Sequence, residues 1–324
     1  MQLPPSLREA IDRELEGTAL RDLAGAADVL SQRYRAELRD GRLHVNDDLA
    51  ARAYLTTRLP ATFASISAAL GAVAETRPDF APQTLLDAGA GPGTAIWAAA
   101  QRWDSLHDAL AIEASPVIRA VGERLSHALA VDRTAWLTRR LEDGLADLAE
   151  RDLVLLAYVL VELSPSMHDS LIKQLWRLTA DTLVIVEPGT PEGWIRILGA
   201  RDLLIGAGAH LLAPCPHHHT CPLVRPDWCH FSARLPRSRL HREAKGGTVP
   251  WEDEKFIYLA VARQPGIHPE ARVIAPPHGS KAAVTLKLCQ KDGHVAEQSF
   301  AKRDGASFKT VRKLRWGDVL LAES

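Results

Sequence analysis

The chain runs Leu85-Leu86-Asp87-Ala88 straight into Gly89-Ala90-Gly91-Pro92-Gly93-Thr94 and out into Ala95-Ile96-Trp97-Ala98-Ala99-Ala100. A short apolar run, a glycine turn and a helix-forming stretch, in that order, predict the opening strand, loop and helix of a doubly wound α/β sheet. Glycines let the backbone approach a ligand, and the free N–H groups of the helix amino terminus face the same place. The pattern is D-x-G-x-G-x-G. A dinucleotide fingerprint beginning at Gly89 requires glycine or alanine at position 94, where Thr94 stands, so the loop favours S-adenosylmethionine over NAD. Leu110-Ala111-Ile112-Glu113 supplies a second strand ending in an acid 26 residues after Asp87, where a carboxylate would hold a ribose diol. Asp87, Gly89, Gly91, Gly93 and Glu113 are therefore the expected cofactor-binding residues. The bland alternative makes Asp87 a helix cap and Glu113 a solvated turn residue.

The remaining apolar runs fit the same sheet. Asp152–Leu160 and Asp181–Gly189 read as buried strands, with the amphipathic stretch Met167–Leu178 as the helix between them. A helix over Trp194–Leu204 and two late strands, Trp228–Leu235 and Lys255–Arg263, complete the core. Residues 1 to about 75 have helical periodicity with caps and no strand signal. Beyond residue 265, Val284–Cys289 alternates with period two, Asp292-Gly293 is a hairpin signal, and Val295–Lys302 is its partner. The expected organisation is a helical amino-terminal domain over 1–78, a Rossmann-like core over 79–264 with a cysteine-rich insertion over 209–250, and a basic β module over 265–324.

That insertion is unusual in composition. The chain has four cysteines, and Cys215, Cys221 and Cys229 share one loop with His217, His218, His219 and His230. The first thirty residues carry Arg8, Glu9, Asp12, Arg13, Glu14, Glu16, Arg21 and Asp22 where a secretory leader needs an apolar core, so a reducing, cytoplasmic compartment is expected and disulfides are a poor explanation. The spacing C-x5-C-x7-C, with Cys289 far downstream, lacks the paired knuckles of zinc fingers. Four thiolates at irregular spacing suit an iron–sulfur cluster, which is wider than one zinc ion. Zinc on three cysteines and one histidine is the alternative. Packing as small apolar side chains is a third reading, and Pro214, Pro216, Pro222 and Pro226 argue against it by making the segment a stiff loop.

A chain of 324 residues that is 46% hydrophobic can bury a large core, and no apolar run approaches the length of a membrane-spanning helix. The net charge of −1 conceals an uneven distribution. Residues 281–318 hold nine basic residues against four acidic, and 225–245 hold six against two. Lys309, Arg312, Lys313 and Arg315 make the carboxyl-terminal part a candidate polyanion surface, with a solvated face as the plainer reading.

Seven short motifs together carry a family resemblance: Asp87-Ala-Gly-Ala-Gly-Pro-Gly, Glu187-Pro-Gly-Thr-Pro191, Ala213-Pro-Cys-Pro-His217, Cys221-Pro-Leu223, Asp227-Trp-Cys-His-Phe-Ser232, Trp251-Glu-Asp-Glu-Lys-Phe256 and Trp316-Gly-Asp318. The chain resembles the methyltransferase-like protein of the mitochondrial small ribosomal subunit and its bacterial relatives, most weakly before about residue 50. The resemblance implies a class I methyltransferase core, a [4Fe–4S] cluster on Cys215, Cys221, Cys229 and Cys289, and binding to small-subunit ribosomal RNA during assembly. A monomer is expected.

Where a methyltransferase acting on an exocyclic amine has a polar, carbonyl-rich loop after its fourth strand, this chain reads Ala157-Tyr158-Val159-Leu160-Val161-Glu162. No cysteine is there to attack a pyrimidine ring. Tyr158 and Glu162 are the only polar candidates, and no catalytic base is assigned. The expected function is ribosomal RNA binding in small-subunit assembly on a methyltransferase scaffold. The alternatives are an active S-adenosylmethionine-dependent ribosomal RNA methyltransferase and a small-molecule methyltransferase with structural zinc.

Overall fold

Five parallel strands form the centre of the molecule: β1 (Thr84–Ala88), β2 (Asp108–Glu113), β3 (Arg133–Thr138), β4 (Arg151–Ala157) and β5 (Thr179–Pro188). They stand in the order β3-β2-β1-β4-β5, and the computed structural model describes residues 2–37 and 43–321. Their near-continuous apolar runs follow from burial on both faces: Leu153 to Leu156 and Leu183 to Val186 have no exposed surface. Helices α5 (Thr94–Arg102), α6 (Pro116–Ser126), α7 (Pro165–Arg177) and α8 (Pro191–Gly206) are the crossovers and covers. Ser115 and Thr190 start α6 and α8 by accepting N–H bonds from Ile118 and Gly193, each with proline in the first turn.

The far edge departs from a dinucleotide-binding sheet. Strand β8 (Trp251–Ala262) runs antiparallel to β5, and its other side pairs with β7 (Phe231–Pro236) and then with β6 (His210–Ala213). The result is a Rossmann-like methyltransferase fold on a mixed, eight-stranded sheet. The strand expected over Asp152–Leu160 stops at Ala157 because Tyr158 takes a left-handed backbone, φ 60°. The late strand expected from Trp228 starts at Phe231, since Trp228–His230 belong to the cysteine loop, and its partner β8 begins earlier than expected, at Trp251.

Four helices, α1 (Pro5–Leu15), α2 (Leu20–Arg35), α3 (Asp48–Thr57) and α4 (Leu59–Thr76), precede the sheet. Buried apolar residues of α4, among them Phe63, Ile66, Leu70 and Val73, belong to the same core as the strands. A bidentate Arg124–Glu14 pair, 2.7 Å on each arm, ties α6 to α1, and the Ser115 hydroxyl donates to the Val45 carbonyl at 2.6 Å. The amino-terminal helices thus close over the carboxyl ends of β1, β2 and β4. After β7 the chain makes α9 (Arg239–Ala244) and enters β8.

Beyond β8 a second, five-stranded sheet orders β10 (His278–Gly279), β11 (Ala283–Gln290), β9 (Ala271–Val273) and β13 (Val319–Leu320), with β12 (Val295–Ala301) on the free side of β11. Helix α10 (Ala306–Val311) covers it, and Ala271, Val273, Leu286, Leu288 and Val311 form its own small core.

Close backbone approach at the start of α8 sets where that helix lies. A Cβ on Gly193 would collide with the Pro188 carbonyl oxygen, a backbone atom that cannot swing aside. Gly193→Ala is expected to cost about 1–3 kcal/mol by overpacking, read as a lowered denaturant midpoint with an unchanged slope. A wild-type midpoint would show that α8 is free to shift.

Candidate functional site

In an open α/β sheet, ligands bind where the strand order reverses. Here that point lies between β1 and β4. Gly89, Gly91 and Gly93 all have positive φ, at 76°, 53° and 80°, which carries the chain from β1 through a tight turn into α5. A side chain at Gly89 would collide with Val159, so the glycine loop and the segment after β4 are in close contact. Glu113 at the end of β2 accepts the Gly91 N–H at 2.8 Å and the Ser115 N–H at 2.7 Å. A carboxylate offers about four lone-pair sites, and the Ala114 N–H also bears on this one, so about one stays available to a diol hydroxyl. Burial raises the Glu113 pKa, while the N–H bonds oppose the shift. Asp87 is 1% exposed, and its Oδ2 has no hydrogen-bond partner. Burial, then the charge of Glu113, pushes its pKa up to about 8. An uncompensated buried carboxylate below a glycine loop fits a ligand that brings positive charge.

The pocket above this loop encloses about 1120 Å³ including its open mouth. Its floor and one wall are Gly89, Gly91, Glu113 and Val159; the opposite wall comes from residues that sequence reasoning missed, namely Tyr34, His44, Tyr54 and Arg58. Tyr34 stacks on His44 with centroids 4.6 Å apart, and the Arg58 guanidinium lies 5.1 Å from the Tyr34 ring and 5.9 Å from the Tyr158 ring. No local pattern marks these residues, which come from α2, the segment before α3, α3 itself and the turn into α4. The one available signal is that three of the chain's four tyrosines, Tyr34, Tyr54 and Tyr158, meet here.

The segment after β4 is committed to structure. Tyr158 is buried, and its hydroxyl lies 2.9 Å from Ser65 Oγ and 3.1 Å from Glu254 Oε1. Burial holds its pKa well above the ordinary tyrosine value. The Leu160 N–H donates to Glu187, whose other oxygen receives Arg196 Nε at 2.7 Å. Glu162 is exposed. Tyr158 is thus a pinned structural residue.

The four cysteines, all free, line a single cavity between α8, β8 and the second sheet, with Ile257, Leu259 and Ile274 among its apolar walls. Burial raises every thiol pKa, to about 12 for Cys289, and neighbouring sulfurs add to the shift. His217 Nε2 is 3.4 Å from Cys289 Sγ. Arg201 and Arg272, each 2% exposed, sit beside the thiols and oppose the shift. Among the described residues no three or more His, Cys, Asp or Glu side chains form a group that could hold one metal ion. The donor set itself, four sulfurs facing one apolar space beside two cations, fits a thiolate-ligated group.

Lys309, Arg312, Lys313 and Arg315 are exposed on α10 and the turn after it, and among the described residues none of the four is in an ion pair. The flank at 225–245 differs from them. Arg225 pairs with Glu192, Arg234 with Asp253, Arg239 with Glu243, and Arg237 and Lys245 both with Glu252. Most of its sequence charge is neutralised locally, although Lys287 on Asp227 and Trp316 edge-on to His230 do bring flank and second sheet together.

Residues 48–321 match the family described as mitochondrial small ribosomal subunit Rsm22. The chain belongs to that family. It is 29% identical over 286 residues to the human mitochondrial ribosome assembly protein METTL17, covering 82% of this chain and 61% of the relative. It is 24% identical over 341 residues to Rsm22-cox11 tandem protein 2 of Schizosaccharomyces pombe, also mitochondrial, covering 89% and 45%. The chain therefore spans about half the length of the curated relatives it matches. Among solved structures it is similar to an O-methyltransferase family protein from Burkholderia thailandensis, with TM-score 0.47, 15% identity and coverage of 78% and 74%. It is also similar to magnesium protoporphyrin IX methyltransferase from Synechocystis, with TM-score 0.41, 15% identity and coverage of 76% and 100%. The family resemblance drawn from the motifs is the one that matches. The cytoplasmic placement is corrected: the Rsm22 family and both relatives are mitochondrial.

The carboxylates buried in this Rsm22-family chain make its stability pH-dependent. Asp87, at about 8, and Glu187, pushed up to about 7 chiefly by burial, both bind protons more tightly folded than unfolded. Their contribution is complete below the ordinary carboxylate range and is lost as pH rises through about 7 to 8. The denaturant midpoint of the ligand-free protein is expected to fall between about pH 5 and about pH 8, and Asp87→Asn should flatten the fall. Equal slopes for the two proteins would remove Asp87 from the explanation.

Proposed function

We propose that this chain binds small-subunit ribosomal RNA during ribosome assembly, using a methyltransferase fold as a scaffold. S-adenosylmethionine occupies the pocket over Gly89, Gly91 and Gly93, with Asp87 beneath and Glu113 on the ribose, and a [4Fe–4S] cluster is held by Cys215, Cys221, Cys229 and Cys289. The observation that carries the scaffold reading is the segment after β4. Its tyrosine is locked between Ser65 and Glu254 and its backbone is held by Glu187, so Tyr158 is not free to act on a substrate in the pocket. Family membership and the human relative's name as a ribosome assembly protein support the cellular role. The cluster, when bound, would cross-link the loop after β6 to the second sheet through Cys289. Lys309, Arg312, Lys313 and Arg315 would meet phosphate.

A second reading, active methylation of ribosomal RNA, is favoured by the open pocket and by the Glu113 carboxylate that lines it. Methyl transfer is largely a matter of positioning, so a bound cofactor could suffice. The readings separate in one measurement. Calorimetry should show S-adenosylmethionine binding, while isotopically labelled methyl should not appear in small-subunit RNA; labelled RNA would decide for the enzyme.

Anaerobically purified protein is expected to contain iron and acid-labile sulfide. Stoichiometric zinc without sulfide would replace the cluster with a zinc site. Reversing Lys309, Arg312, Lys313 and Arg315 to glutamate together should weaken association with small-subunit RNA and flatten the logarithmic salt dependence by about 0.7 to 0.9 per lost phosphate contact, with cofactor binding unchanged. An unaltered slope would mark the four as a solvated face.

A further inference from the structure

We propose that Arg201 and Arg272 are the counter-ions of the thiolate-bound group and that their charge, rather than their hydrogen bonds alone, fixes its electronic state. The inference rests on the cluster reading above. Arg201 comes from α8 on one side of the cavity and Arg272 from β9 on the other, each 2% exposed. Arg201 Nη2 donates to the carbonyls of His217, at 3.1 Å, and His219; Arg272 donates to the carbonyls of Pro214 and, at 2.7 Å, Gly317. These bonds anchor the cysteine loop from both sides. They leave the charges unanswered, because Arg201 meets one carboxylate, the largely exposed Asp202, and Arg272 meets carbonyls only. Arg201 Nε and Arg272 Nη2 are buried with no partner.

Two guanidiniums in an apolar interior carry a desolvation penalty of several kcal/mol each unless an opposite charge lies close. The opposite charge available here is sulfur. Arg201 lines the cavity together with all four cysteines, Arg272 stands opposite Cys289 in the strand pair, and both arginines act electrostatically on Cys215 and Cys289. Four thiolates around a doubly positive core carry two net negative charges, which two guanidiniums cancel. The anchoring role alone calls for N–H donors and could be met by a neutral amide. Arginine at both positions, with a spare N–H at each, answers an anion.

Removing one positive charge makes an added electron less favourable, so the reduction potential should fall. The test uses the full chain, purified anaerobically and titrated with dithionite under spectroscopic monitoring. Arg201→Gln and Arg272→Gln keep a donor and lose the charge; Arg201→Lys and Arg272→Lys keep the charge. In each glutamine variant the reduced-to-oxidised ratio at fixed potential should drop about tenfold, a shift of about 59 mV for one electron, whereas the lysine variants stay within about twofold of wild type. The midpoint is read on whatever cluster remains, so partial loading does not blur it. Midpoints equal to wild type in the glutamine variants would overturn the proposal. Loss of cluster from the glutamine variants alone would support it, and loss from lysine and glutamine variants alike would overturn it in favour of shape. If the wild type holds zinc without sulfide, the cluster reading fails by itself. The counter-ion role is then read from zinc release to a chelator: release about tenfold faster in the glutamine than in the lysine variants supports it, and equal rates overturn it.

Discussion

Strand β8 runs antiparallel between β5 on one side and β6 and β7 on the other, and its two faces serve different sites. Glu254, Phe256 and Tyr258 alternate with Ile257 and Leu259 along it. Glu254 reaches the Tyr158 hydroxyl beside the glycine-loop pocket, while Ile257 and Leu259 wall the cysteine cavity. A slip of one residue would exchange the faces and dismantle both. Register is held by seven consecutive pairs with β5, from Thr182 opposite Ala262 to Pro188 opposite Phe256, and by burial of Phe256 through Ala262. The two sites are therefore mechanically linked through one strand without touching each other.

Their electrostatics are opposite in sign. At the glycine loop the carboxylates of buried Asp87 and half-buried Glu113 have pKa values raised by desolvation, an environment that gains from an incoming cation. At the cysteine cavity the buried permanent charges are Arg201 and Arg272, an environment that gains from an incoming anion. Neither imbalance helps the chain fold by itself. Each is a cost that a bound group offsets, the pattern expected where local stability is given up for binding.

The helices before the sheet convert a generic fold into a particular pocket. Through Tyr34, Tyr54 and Arg58 they supply part of its lining, and through Ser65 they lock Tyr158. The second sheet is bound to the core through Arg272, the Asp227–Lys287 pair, the His230–Trp316 contact and Cys289. Its free cations lie on α10 and the following turn, away from the ion pairs that neutralise the flank at 225–245.

The sequence alone determined the central sheet and the glycine loop, because buried parallel strands must be continuous apolar runs and a left-handed turn beside a ligand needs glycine. It also singled out the cysteines, since so sparse a residue type does not place three of its four members in one proline-stiffened loop by chance. It did not reveal β9, β10 or β13, which are two or three residues long and too short for period-two alternation to register. Nor did it reveal β3, whose Arg133–Thr138 is half-exposed and lacks an apolar run. The tyrosine and arginine wall and the buried arginine pair were decided by tertiary structure only. Each of those side chains acts on groups tens to hundreds of residues away, and a linear pattern carries no information about a charge until the fold shows which surface it has been buried against.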